Sequence, residues 1–527
     1  MGRQRPRGEI PADTLKMFDV MITRTANSNP TVDADVEVYG AVVVNAGVLR
    51  DRQRIYDAKD ASASGTAGIF GQMLAGEDLI PSMGTTSSSV RGRDAGTGTN
   101  KVLTVPAGRI FTVGGDLQVR ANGQLVMGAN AEVRIGTNLL ALDNLASWNE
   151  DINPPASRCN TWDDENSYVT IGSLATMPNI VMDPTSTLVF NGVGEQQVRV
   201  RRNEVQNVRL DKPGGVVRVQ GLTFSERARF HILGNLTING GEFRMLSTTP
   251  LLVNGNVTLN GGSFTFNDSP VTVRGNWINN GGKINPGTGR INFHPNSTAK
   301  RIIKTNGEPF PAVYIGFFVD YTAVNCYIKD ADPDDYPSGH PIRYPKVTSM
   351  VEYEVQDELI ALGHTTIMAN RKLSTLPGAN VKLQLAGARV ESGGVLDLNP
   401  GAELLMDPNP AYPFYVDKRN DISPIQADKP TRTLLIEDGG YLEALGTASQ
   451  YVKISRQGIS DYYRFLVEGD IQARYFLFEF MDERGVDLSG TLSGDGAGEP
   501  GSGILGSTSS AGRGTSIDPA CRCWQLQ

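Results

Sequence analysis

Cysteine is scarce in this chain. Four among 527 residues, at Cys159, Cys326, Cys521 and Cys523, are too few and too scattered for a disulfide framework, and Cys521-Arg-Cys523 lacks the two-residue spacer of a redox or zinc knuckle. Histidine is as thin: His231, His294, His340 and His364 never fall at metal-ligand spacing. No apolar run approaches about 18 residues, so no segment reads as a membrane-spanning helix. Nucleophile elbows, phosphate loops and zinc motifs are missing too, which removes the commonest hydrolase, nucleotide-binding and zinc classes. Aromatics make up only 7% of the chain and hydrophobic residues 39%, which suits a narrow core better than a large α/β enzyme. The net charge of -8 is mild and argues against nucleic acid or an anionic membrane as partner. The opening "MGRQRPRGEIPAD" has basic residues with no apolar stretch behind them, so it shows no signal peptide.

What the chain has in abundance is glycine, 59 residues, above the usual share of about 7%. Much of it falls in one phrase written three times: "GNLTINGG" from Gly234, "GNVTLNGG" from Gly255 and "GNWINNGG" from Gly275. Around each copy apolar residues occupy every second position, as in Phe230, Ile232, Leu236 and Ile238, or Val271, Val273 and Trp277. Period two marks strands with one buried face. Asn-Gly-Gly then breaks the strand, because Gly and Asn tolerate the positive φ of a sharp corner.

A unit of about 20 residues cannot bury its apolar face alone, so such units stack, each coil covering the next. Stacking predicts a column of Asn239, Asn260 and Asn280 and another of Phe243, Phe264 and Ile284. The third copy puts Asn279 at an inward position, where an unpaired amide is costly; that coil is expected to be looser or locally bent. Asn235-Leu-Thr237, Asn256-Val-Thr258 and Asn296-Ser-Thr298 match the glycosylation acceptor, but the first two lie inside the repeat, where Asn and Thr have structural reasons to occur.

Further coils read from 101–136, 380–408, 432–457 and 463–488. The segments "LVFNGVGEQQV", "NVRLDKPGGVVRVQGLTF" and "LGNLTINGG" resemble the β-solenoid modules of large bacterial surface and secreted proteins. Residues 432–488 are similar to a right-handed parallel β-helix of the pectin-lyase-like type. The resemblance spans about 100–136, 185–315 and 376–488, and its motifs specify a fold shared by adhesins, lyases and passive stalks rather than an activity.

The expected fold is all-β, an elongated right-handed parallel β-helix. Its irregular N-terminal region is 1–99, with first coils at 36–49 and a short helix within 51–99. Solenoid coils follow at 100–136, a loop-rich insertion or module boundary at 137–182 and the repeat module at 183–328. An acidic loop with connecting strands (329–375), coils at 376–488 and a Gly/Ser-rich disordered tail (489–527) complete the chain.

Candidate sites are few. In "KDADPDDYPSGH", Asp330, Asp332, Asp334 and Asp335 offer hard oxygen ligands to Ca²⁺, although the loop lacks the Gly and Glu of an EF-hand; the alternative is a solvated acidic turn. No other cofactor is expected. Asp163, Asp164 and Glu165 form a second acidic group, a loop cap or cation site that could act on a glycoside only with partners from other coils. Arg199, Arg201, Arg209 and Arg218 could line a binding face, or serve as surface charge that blunts aggregation. Acidic loops and Arg-rich strands lie apart along the chain, so no catalytic groove is visible. The expected function is a non-catalytic extracellular or cell-surface solenoid, adhesin- or stalk-like, binding a polysaccharide or cell-surface glycan, and a fragment of a larger protein. The alternative is a polysaccharide lyase or glycoside hydrolase on the same helix.

Overall fold

The structure, a computed structural model, describes residues 14–17, 20–22, 35–38, 42–45, 101–120, 123–142, 180–200, 204–219, 230–246, 251–316, 347–406, 433–458, 463–488 and 523–524. Among the described residues every regular element is a strand and none is a helix. The segment 51–99, with its expected helix, lies outside them. The chain divides into two compact units, one of Met1–Val253, Asn260–Phe264 and Asn325–Ile328, the other of Asn254–Leu259, Thr265–Val324 and Lys329–Gln527.

In the first unit, strands pair in parallel with their counterparts one coil on. Leu15, Val36, Phe111, Val133, Leu188, Val208 and Leu236 stand opposite one another rung by rung. A second column runs through Val20, Val42, Leu117, Leu139, Val198, Val219 and Met245. A third wall begins with Leu103, Leu125 and Ile180. Period-two alternation aims one side chain of each pair inward, and rungs about 4.8 Å apart put like on like. Phe111, Val133, Leu188 and Leu236 are buried to 2% or less. This is a parallel β-solenoid.

Its corners are polar. The Asn239 amide donates to Asp211 (2.6 Å), and the Asn260 amide to Asn239 (2.9 Å), 21 residues earlier. Gly262 has φ 64°, and a Cβ there would stand 2.3 Å from the Gly241 carbonyl oxygen, so only glycine closes the corner. Inside another corner Lys212, 3% exposed, donates from Nζ to the carbonyls of Gly192 and Gly194 and to Gln196 Oε1 (2.6 Å). Gln196 in turn donates to the carbonyls of Ile135 (2.8 Å) and Thr137 (2.7 Å). Three successive turns are thereby pinned together.

The second unit repeats the plan. Val257, Trp277, Ile303 and Val355 form one column, and Tyr353, Leu373, Leu396, Leu442 and Ile471 continue the same wall. A second wall carries Val273, Phe293, Ile315, Ile367, Val390, Ile436, Val467 and Leu488. A third carries Leu359, Leu383, Leu404, Ile454 and Phe478. Trp277 is fully buried between Phe266 (6.2 Å) and Phe310 (5.0 Å). The backbone N–H of Asn276 bonds Asn256 Oδ1 (2.8 Å), and that of Ile302 bonds Asn276 Oδ1 (2.8 Å), so the glycosylation-like Asn256 has a structural task. Cys523–Trp524 adds a two-residue antiparallel strand to Phe476–Glu479.

Asn279 corrects one expectation. It is fully buried opposite Leu259, yet its amide donates to the carbonyls of Gly282 (2.9 Å) and Thr305 (2.8 Å). Its Oδ1 accepts from Gly281 (3.0 Å) and Gly282 (2.8 Å). Every hydrogen-bonding position is used, so the amide ties the coil to its neighbour instead of loosening it.

Candidate functional site

Of the candidate arginines, Arg209 and Arg218 stand in different columns, opposite Val189 and Gln197, and both are ion-paired. Arg209 bridges Asp211 (2.6 Å) on its own strand and Glu132 (3.0 Å) on an earlier coil. Arg218 pairs with Glu195 (3.0 Å). Arg199 lies on the strand Gln196–Val200, opposite Leu140. Arg201, Asp163, Asp164, Glu165, Asp330, Asp332, Asp334 and Asp335 lie outside the described residues. Among the described residues no group of His, Cys, Asp and Glu is arranged to hold a metal ion.

A different polar face emerges in the second unit. The wall built on Tyr353, Leu373, Leu396 and Leu442 points its alternate residues outward. One outward column reads Glu354, Ser374, Asp397, Glu443 and Gln472, each opposite the next. The column beside it reads Glu352, Lys372, Val395, Tyr441 and Asp470. Lys300 reaches the same face from the preceding segment, 3.0 Å from Glu352 and in contact with Glu354.

Most of these groups have partners. Lys372 holds Asp397 at 2.5 Å, Ser374 donates to Glu352 (2.7 Å), and Tyr441 donates to Gln472 (2.6 Å). Glu354 and Asp397 are nearly buried, at 6% and 8% exposure, although they stand on the outer side. Glu443 differs: its carboxylate makes no hydrogen bond or ion pair with the described residues, and it is half-buried.

The environment splits the carboxyls. Burial would raise Glu352, but the Ser374 hydroxyl and the Lys300 ammonium more than offset it and hold the group below the ordinary carboxylate range. Burial raises Glu443, the neighbouring Asp397 charge raises it further, and Lys372 only partly counteracts them. Asp397 and Glu443 sit on adjacent rungs, about 5 Å apart at the backbone. A semi-dry shelf with carboxylates, a phenol, an amide and ammonium groups can hydrogen-bond a polyhydroxylated chain along its length.

Reading the sequence alone missed this face. The outward acids are visible in "VEYEV" (351–355), "VLDL" (395–398) and "YLEAL" (441–445), but connections of unequal length separate them. Only the register shows that they share a column, with Lys372 in the column beside it. Comparison with protein-family models, with curated proteins and with solved structures finds no match to this chain.

Proposed function

We propose that the chain is a non-catalytic glycan-binding β-solenoid of an extracellular or cell-surface protein, adhesin- or stalk-like, and that the outer face around Asp397 and Glu443 is its binding surface. The observation that carries this reading is the five-rung polar column of Glu354, Ser374, Asp397, Glu443 and Gln472. A rung spacing of about 4.8 Å is close to the length of one pyranose ring, so successive rungs can meet successive sugars. The resemblance of the coils to bacterial surface solenoids agrees with a display role.

A second reading, glycoside hydrolysis, is favoured by one observation: Glu443 is kept protonated to higher pH beside Asp397. A raised acid one rung, about 5 Å at the backbone, from a second carboxylate is the kind of pairing that glycoside hydrolysis uses. Against it, Lys372 occupies the carboxylate that would have to attack. Incubation with neutral, uronate and amino-sugar polymers separates the two. Binding without new reducing ends or unsaturated products supports display. Release of reducing ends that Glu443→Gln abolishes supports hydrolysis, and no binding to any polymer overturns the glycan reading.

A further inference from the structure

The outer face of the second unit extends past Gln472 into an aromatic corner. Arg474 stands opposite Leu445, and the next residue, Tyr475, adopts φ 46°. Positive φ is rare for a bulky side chain, and here it turns Tyr475 out of the strand's alternation. Tyr451 meets it edge-on, ring centroids 6.3 Å apart, and the Arg474 guanidinium lies 5.1 Å from the Tyr475 ring centroid. Tyr451 remains 41% exposed, one of few large apolar side chains left in solvent among the described residues.

Resting on the glycan-binding reading, we infer that this surface takes a cationic amino-sugar oligomer, with its free amine at Glu443 and a ring face on Tyr451. Three observations converge. Among the described residues the face carries five outward carboxylates, those of Glu352, Glu354, Asp397, Glu443 and Asp470, against four cations, those of Lys300, Lys304, Lys372 and Arg474. A uronate chain would add negative charge to that excess, whereas an ammonium balances it. Glu443, alone among the carboxylates of the Asp397 column, has no ion-pair partner among the described residues, so a ligand ammonium gains a charge-assisted hydrogen bond there without displacing one of them. Tyr451 offers the exposed ring that the apolar face of a pyranose needs.

The experiment is calorimetric titration of the full chain with three probes of equal length: β-1,4-linked glucosamine oligomer, its N-acetylated counterpart and oligogalacturonate. The glucosamine oligomer should bind at least about tenfold tighter than the N-acetylated one, an advantage that shrinks with salt. The uronate should bind least. Glu443→Gln should erase the preference for the free amine, and Tyr451→Ala should weaken both amino-sugar probes alike. Equal binding of the acetylated and free forms, or tighter uronate binding, overturns the inference while leaving glycan binding in place. Binding of neither amino sugar nor uronate by the wild-type chain overturns it together with the reading beneath it.

Discussion

His364 lies midway along the strand Glu358–Ile367, with its Nε2 shut off from solvent and unpartnered among the described residues. Burial, with the nearby Arg389 charge adding to it, lowers its pKa from 6.5 to about 4. The unfolded chain binds this proton near the ordinary value and the folded chain does not. Stability from this group is therefore complete above about pH 6.5 and is lost as pH falls toward 4, by at most about 3 kcal/mol. His364→Leu should flatten that part of the pH dependence in thermal melts, and an unchanged slope would place the acid sensitivity elsewhere. Lys212 tests the opposite kind of burial. Lys212→Met keeps the side-chain volume but strips the donor from Gln196 Oε1 and two carbonyls. The expected loss is about 3 kcal/mol in denaturant unfolding. A loss below about 1 kcal/mol would mean that the buried ammonium adds little net stability.

At the scale of one strand, alternation decides tolerance. Val257 is fully buried opposite Trp277, and Thr258 beside it is half-buried on the outer side. Val257→Asp should unfold the coil, because it puts an unpaired carboxylate against the indole. Thr258→Asp should change the melting temperature little. Equal effects would mean that the inward face is assigned wrongly. The corner is as selective: Gly262→Ala must fit a Cβ 2.3 Å from a carbonyl oxygen at φ 64°, and should cost at least about 1–2 kcal/mol. Strand positions and corners were legible in the sequence because both are local: period two sets the face and Asn-Gly-Gly sets the break. Asn279 was half-legible. Its inward position follows from the repeat, but its acceptors Gly282 and Thr305 include a residue on the next coil that no local pattern indicates.

At the scale of a whole unit, each coil is bound chiefly to the coils next to it, so perturbation should decay along the stack. Leu404 is buried between Leu383 and Ile454. Leu404→Asp should strip amide-exchange protection first from the strands Lys382–Val390 and Val452–Arg456, and only later from Glu358–Ile367. Simultaneous loss in all three would show a unit that unfolds as one block.

The candidate face belongs to that larger scale. Arg209 and Arg218 read as a binding face from sequence because their charge is visible and their carboxylate partners on other segments are not. The converse held for Glu354, Asp397 and Glu443, which lie far apart along the chain on three separate strands. By itself the sequence determined the solenoid, since alternation, coil length and corner chemistry act within about 20 residues. Only the tertiary structure decided which outward side chains share a column. Register across connections of unequal length is set by the ladder hydrogen bonds and the packed interior, not by spacing along the chain.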